Sequence, residues 1–293
     1  MRVHEETDAA ALLSEAHALF DTREVEGNLI LGILQAIVRG LYAEPTPWLW
    51  SVREGSQLRG VVLRTPPHPL ALSSMPSEAC PALASVLVER GLVPIALNGP
   101  RSVVDGVVRE LAAQRAIQTD VVNETRLFEL RHVISPARPP GEMRAARAAD
   151  LPLLVHWLEA FQAEAVPHEV GGMDMRAHAT RILEAGAGFL WEHAGACVAF
   201  AAFKRRVGRG VSIAPVYTPT ELRRQGYATA LVAALSQQLL DSGCEYTCLF
   251  TDLANPISNS IYPKVGYRPV FDMRYVRVSE GAGEKRGNGD DGR

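Results

Sequence analysis

Ala214-Pro215-Val216-Tyr217-Thr218-Pro219-Thr220-Glu221-Leu222-Arg223-Arg224-Gln225-Gly226-Tyr227-Ala228-Thr229 reads as the end of a strand, a loop punctuated by proline and glycine, and the start of an apolar helix. A helix N-terminus presents N–H groups without intrahelical partners at the positive end of the helix dipole, so such a loop is a ready anion site. Gly226 and Ala228 carry little bulk, which lets a phosphate approach the backbone closely. Residues 200–230 hold six basic residues (Lys204, Arg205, Arg206, Arg209, Arg223, Arg224) and one acidic, Glu221, in a chain of net charge −3. A solvated turn with surface arginines would use the same residues. The Gly-Lys-Ser/Thr ending of a Walker loop and the G-x-G-x-x-G spacing of a dinucleotide fingerprint are both missing.

Outward from this loop the second half of the chain reads clearly. Asp150 can cap a helix whose apolar residues Leu153, Leu154, Trp157, Leu158 and Phe161 recur at helical spacing. A second helix spans about 174–184. Strands follow at 189–193 and 196–203, joined by the Ala194-Gly195 turn, and at 211–217 after Gly208-Arg209-Gly210. Beyond the loop come a helix at 228–240, a strand at 246–251, a short helix at 256–265 and one or two strands at 268–278. Hairpins followed by a strand–helix–strand crossover imply a mixed sheet with helices on both faces.

A second informative stretch is Asn255-Pro256-Ile257-Ser258-Asn259-Ser260-Ile261-Tyr262-Pro263-Lys264-Val265-Gly266-Tyr267. Asn255 before Pro256 suits a helix cap with proline at the first helical position, and Gly266 suits the stop. Asn255, Asn259 and Tyr262, spaced by four and three, line one helix face. Capping by Asn255 and a partly buried Tyr262 would account for the same residues.

Together the two stretches resemble the GNAT superfamily of acyl-CoA N-acyltransferases. Arg223-Arg224-Gln225-Gly226-Tyr227-Ala228 matches its Arg/Gln-x-x-Gly-x-Gly/Ala motif, and Asn255, Tyr262, Lys264, Gly266 and Tyr267 match its later motif in the right order. The resemblance covers about 142–278. It implies that backbone N–H groups of Arg224 to Thr229 hold the pyrophosphate of acetyl-CoA, the co-substrate. Arg223 and Gln225 belong to the same loop, and Val216 and Tyr217 would pair with the pantetheine like an added strand. It further implies that Asn255 and Asn259 touch the pantetheine arm and that Tyr262 protonates the departing thiolate. Pro263 departs from the family, which usually has a polar residue there, and predicts a bend just after Tyr262. The resemblance places Glu164, His168 and Glu169 at the acceptor site. Glu164 and Glu169 are the candidate bases; surface residues in a loop would read the same way. No metal is implied.

The first half echoes the same element order: helices at 8–20 and 29–39, strands at 48–53, 57–64 and 70–73, a helix at 81–90, a strand at 93–97 and a helix at 102–114. This suggests internal duplication. Ser73-Ser74-Met75-Pro76-Ser77-Glu78 stands where the phosphate loop should be, without Gly-x-Gly/Ala and without a basic residue, so the first half is expected to be a degenerate copy that binds no CoA. The fold expected is α/β with a mixed sheet, in tandem GNAT-like domains. The Pro-rich segment 135–141 divides residues 1–134 from the catalytic 142–278, and the Gly-rich charged tail 279–293 is expected to be disordered.

Composition narrows the remaining classes. The 293 residues are 47% hydrophobic and 22% charged, enough to bury a core. Twenty-seven arginines stand against three lysines, which points to genomic composition bias. A net charge of −3 and a pI near 6.3 argue against a general nucleic-acid binder. No apolar run of spanning length and no secretory leader pattern is present, so a cytoplasmic protein away from membranes is expected. Cys80, Cys197, Cys244 and Cys248 form no C-x-x-C pair; Cys244 and Cys248, four apart on one expected strand, read as core residues on the same face. The function expected is transfer of an acetyl group to the primary amine of a small, cationic acceptor. An acyl-CoA-binding sensor and a protein N-terminal or lysine acetyltransferase are the competing readings.

Overall fold

The computed structural model describes residues 1–42, 44–165 and 174–281. The first half runs β1 (Arg2–Glu5), α1 (Ala9–Phe20), α2 (Glu24–Val38), β2 (Trp48–Glu54), β3 (Gln57–Arg64), β4 (Leu70–Leu72), α3 (Cys80–Glu89), β5 (Ile95–Pro100), α4 (Arg101–Gln114) and β6 (Ile117–Leu130). The second half repeats that order: β7 (Glu142–Ala145), α5 (Leu151–Ala165), α6 (Met175–Glu184), β8 (Gly188–His193), β9 (Ala196–Val207), β10 (Gly210–Tyr217), α7 (Tyr227–Asp241), β11 (Tyr246–Asp252), α8 (Pro256–Val265) and β12 (Arg268–Glu280). Every element has its counterpart, so the duplicated order expected from the sequence is present in full.

All twelve strands form one sheet, in the order β1-β2-β3-β4-β5-β12-β6-β11-β10-β9-β8-β7. The centre of this order is an exchange. β6, which closes the first half in sequence, pairs antiparallel with β11 of the second, from Thr247↔Leu130 to Asp252↔Thr125. β12, which closes the second half, pairs antiparallel with β5 of the first, from Met273↔Pro100 to Val278↔Ile95. The two exchanged strands pair with each other along almost their whole length. Each five-stranded half therefore ends on the other half's last strand.

Alternation along the strands gives the sheet two apolar faces. Leu49, Val61 and Leu63 pack under α1 and α2, while Trp50, Val52 and Val62 pack under α3 and α4. In the second half Leu190, Phe200 and Ala202 meet α5 and α6, and Trp191, Ala199 and Ala201 meet α7. The halves also touch through α2. Glu24, buried at its start, accepts the Arg209 backbone N–H and Nε at 2.9 Å each, so a carboxylate from one half caps the β9–β10 turn of the other.

Local differences from the sequence reading have identifiable causes. Asp150 does not cap forward into α5; its carboxylate takes the Arg147 N–H at 2.7 Å and pairs with Arg144 at 2.7 Å, closing the turn before the helix. Cys244 lies in the turn ahead of β11, packed in the α7 cluster, whereas Cys248 sits on β11 among Val25, Leu127 and Tyr246. Both are core residues, in separate clusters rather than on one face. β12 continues to Glu280, two residues past the expected end of ordered chain, and Gly281 donates to the Ala116 carbonyl. Residues 282–293 lie outside the described part.

Candidate active site

β10 and β11 run parallel and pair only at Gly210↔Tyr246, Val211↔Thr247 and Ser212↔Cys248. Beyond Ser212 the strands have no further pairing, and bulges in β10 between Val211 and Val216 turn it away while it stays paired with β9. Val216 and Tyr217, opposite Ala201 and Phe200, thus keep a partner on the β9 side only. A polar ligand arm with amides of its own could add there as a strand does.

The chain leaves β10 into the loop and re-enters helix at Tyr227. Arg224 stands at φ +64° and Gly226 at φ +85°, two left-handed positions that fold the loop back on itself. Gly226 is the N-cap of α7 and no side chain caps the helix. Ala230 makes the first helical bond, to the Gly226 carbonyl. The N–H groups of Arg224 through Thr229 have no acceptor among the described residues. Thr218 Oγ1, at the mouth of the loop, is likewise buried without a partner. Orphan donors at the N-terminus of a fifteen-residue helix suit a di-anion.

Arg223 ties this loop to its surroundings. Its Nε donates to the Thr218 carbonyl at 2.9 Å and its Nη2 to Glu164 Oε2 at 2.5 Å, with the guanidinium 5.9 Å from the Tyr217 ring. The Tyr217 hydroxyl reaches Glu164 Oε1 at 3.4 Å. Burial first, and then the Glu164 carboxylate, raise the Tyr217 phenol above its ordinary range. On the other side, Tyr227 OH and His193 Nδ1 are 2.9 Å apart, and Pro139 of the inter-half segment comes within 3.9 Å of where a Gly226 side chain would begin.

α8 follows β11 directly, with Pro256 as its first residue. The Asn259 amide is fully engaged: Nδ2 donates to the carbonyls of Asp252 (2.9 Å) and Asn255 (2.9 Å), and Oδ1 accepts from Thr251 Oγ1 at 2.6 Å. It therefore brackets the β11–α8 connection. Tyr262 is 6% exposed, packed against Phe128 of β6 (6.2 Å) and Tyr267 (5.7 Å). Burial pushes its phenol up to about 12. Tyr267 is held in turn by Ser236 Oγ and Thr247 Oγ1, at 2.9 and 2.8 Å. The helix continues through Pro263 to Val265, so the expected bend does not end it. Gly266, at φ +108°, closes it: its N–H bonds Pro263 O, the Tyr267 N–H bonds Tyr262 O, and a β-carbon would stand 2.6 Å from His132 O.

Residues 152–267 match the profile described as "Acetyltransferase (GNAT) family". This part of the chain belongs to the GNAT family. The chain is accordingly an enzyme of the N-acetyltransferase class, in a tandem GNAT fold. Among solved structures, a GCN5-related N-acetyltransferase from Sphaerobacter thermophilus is 15% identical, with a TM-score of 0.62, over 94% of this chain and 94% of that one. A GNAT-family acetyltransferase from Colwellia psychrerythraea is 12% identical (TM-score 0.60, covering 95% and 99%). A tandem GNAT protein from the clavulanic acid biosynthesis pathway is 15% identical (TM-score 0.56, covering 95% and 98%). At these identities the likeness is one of fold. No curated protein matches the sequence.

Within the GNAT fold the first half has closed what the second keeps open. Its counterparts of β10 and β11, β4 and β5, press together: a β-carbon on Gly99 would meet Leu72 Cβ and O at 2.8 Å. The N–H groups at the start of α3 are already used or missing: Ala79 donates to the Pro76 carbonyl, Cys80 to the Ser77 carbonyl, and Pro81 has none. The sequence showed no basic residue in this loop. Folding brings Arg23 and Arg59 to a surface pocket beside Ser74, Met75 and Pro76, each within 3.5 Å of a carboxylate, Glu26 and Glu54. Sequence reading also passed over Thr218 and His193, whose partners or lack of them appear only in three dimensions. Of the candidate acceptor residues, Glu164 is bound to Arg223, while His168 and Glu169 lie outside the described residues.

Proposed function

We propose that the protein transfers the acetyl group of acetyl-CoA to the primary amine of a small acceptor by direct attack. The observation that carries this reading is the run of orphan N–H groups from Arg224 to Thr229, set beside the gap where β10 and β11 part. Those donors would hold the pyrophosphate, and the unpaired side of Val216 and Tyr217 the pantetheine. A backbone N–H of that strand would polarise the thioester carbonyl. The amine nitrogen attacks that carbonyl, the C–S bond breaks, and the thiolate leaves with a hydrogen bond from Tyr262. The amine proton passes to water or a carboxylate as the new C–N bond forms. Asn255 and Asn259 contribute by fixing the β11–α8 connection on which Tyr262 depends.

The Glu164 carboxylate, one ground for expecting a cationic acceptor, is neutralised by Arg223, so the reading is confined to a primary amine. The first half, lending β6 to the wall of the site, favours a small molecule over a folded protein. Thiol release from acetyl-CoA, measured against amines, polyamines, aminoglycosides, amino acids and peptides, tests the proposal. Release stimulated by one small-molecule class is the expected result. CoA binding without thiol release for any acceptor would assign the chain to sensing, and release with peptides alone would make it a protein acetyltransferase.

A further inference from the structure

Glu164 is a carboxylate placed at the edge of a site built to hold an anion, where its charge is unfavourable on its own. What it touches explains its presence. Near the C-terminal end of α5, its two oxygens receive different groups: Oε2 takes Arg223 Nη2 at 2.5 Å and Oε1 takes Tyr217 OH at 3.4 Å. Arg223 uses its remaining edge on the Thr218 carbonyl, at 2.9 Å. The guanidinium is thereby fixed from two sides, next to the Tyr217 ring. The residue that follows, Arg224, is left-handed, and the helix start two residues later has no side-chain cap. The bonds inside the loop are short-range, Leu222 N–H to Pro219 O and Arg223 N–H to Thr220 O. The Arg223 side chain ties these N–H groups to β10 and α5, as the Tyr227 hydroxyl ties the helix start to His193 of β8.

We infer that Glu164 is a positioning residue of the acyl-CoA loop, acting through Arg223 and Tyr217, rather than a base or a wall of the acceptor pocket. The inference rests on the proposed use of the loop for acetyl-CoA. It assigns to α5 the task of holding the donor site in a ligand-ready shape, so that less ordering is left to binding. The Glu164–Arg223 pair is half exposed, at 45% and 33% of the side chains, so its effect is modest.

Steady-state kinetics on Glu164→Ala, Arg223→Ala and the double variant tests it, with calorimetry of CoA binding alongside. Each single change should raise the KM for acetyl-CoA by about 3- to 10-fold, leaving kcat and the KM for the amine unchanged. The double variant should be no worse than Arg223→Ala alone, since the two residues act as one unit. An unchanged or lowered KM for acetyl-CoA in Glu164→Ala, additive effects, or a rise confined to the amine KM would overturn the inference. Wild-type protein that binds no CoA would instead remove the proposed function. Binding of CoA by wild type and Glu164→Ala with equal affinity would remove only this role.

Discussion

Tyr262 shows how burial shapes a single residue's chemistry. Its phenol, raised to about 12 by desolvation, stays protonated at any ordinary assay pH. A raised pKa keeps the donor form present below that value and lost only above it, so Tyr262 should put no falling limb on kcat up to about pH 10. The same shift makes it a weak acid beside a thiol of about 8.5, so in the proposed role it would hydrogen-bond the leaving sulfur more than surrender its proton. Tyr262→Phe is therefore expected to lower kcat by about 10²-fold, the low end for a positioned acid, with little change in the KM for acetyl-CoA. Unchanged kcat, with chemistry shown to be rate-limiting, would assign the donor role to water. The turn at Gly226 and the helix that carries Tyr262 were legible because their spacing within a few positions carries the signal. Glu164, Asn259 and Asp150 were not, because a side chain's partner is settled by folding: each is a plausible surface or ligand residue until Arg223, Asp252 or Arg144 comes beside it.

At the scale of elements, helices with a clean apolar stripe and strands with strong alternation were read nearly to their ends. The short edge strands β1 and β7 went unread, and two further failures share one cause. β6 is a long strand whose residues from Gln118 to Arg126 are exposed or half-buried, so no alternation marks it, and its neighbours β11 and β12 lie far along the chain. α2 begins at Glu24, ahead of the expected Leu29, because Glu24 and Asn28 are buried against the other half and look in sequence like solvent-facing residues. β6 also supplies the element-scale prediction. It gives β11 a hydrogen-bonded neighbour along its length and sets Phe128 against Tyr262. Residues 142–281 produced alone should lack a cooperative thermal transition and acetyltransferase activity, while co-production with residues 1–141 should restore both. A folded, active second half on its own would show that β6 is dispensable.

For the molecule as a whole, the contrast between the halves predicts one CoA site per chain. The second half parts β10 from β11 and leaves the N–H groups at the start of α7 without acceptors among the described residues; the first closes β4 on β5 and starts α3 with N–H groups that are bonded or, at Pro81, absent. Calorimetry should give a stoichiometry of one, and a second site involving Arg23 and Arg59 would appear as a stoichiometry of two that Arg59→Ala returns to one. The exchange of β6 and β12 also bears on how the two halves can change. Two halves of identical element order that trade their last strands have the connectivity of a symmetric dimer whose subunits swapped their C-terminal strands and were then joined end to end by residues 131–141. In such a dimer any change to the sequence strikes both sites at once. Fusion of such a dimer would end that bond, since each copy could then mutate separately while still owing its neighbour a strand. On that connectivity a first copy could lose its ligand loop but not its place in the sheet, leaving selection for catalysis to fall on the second.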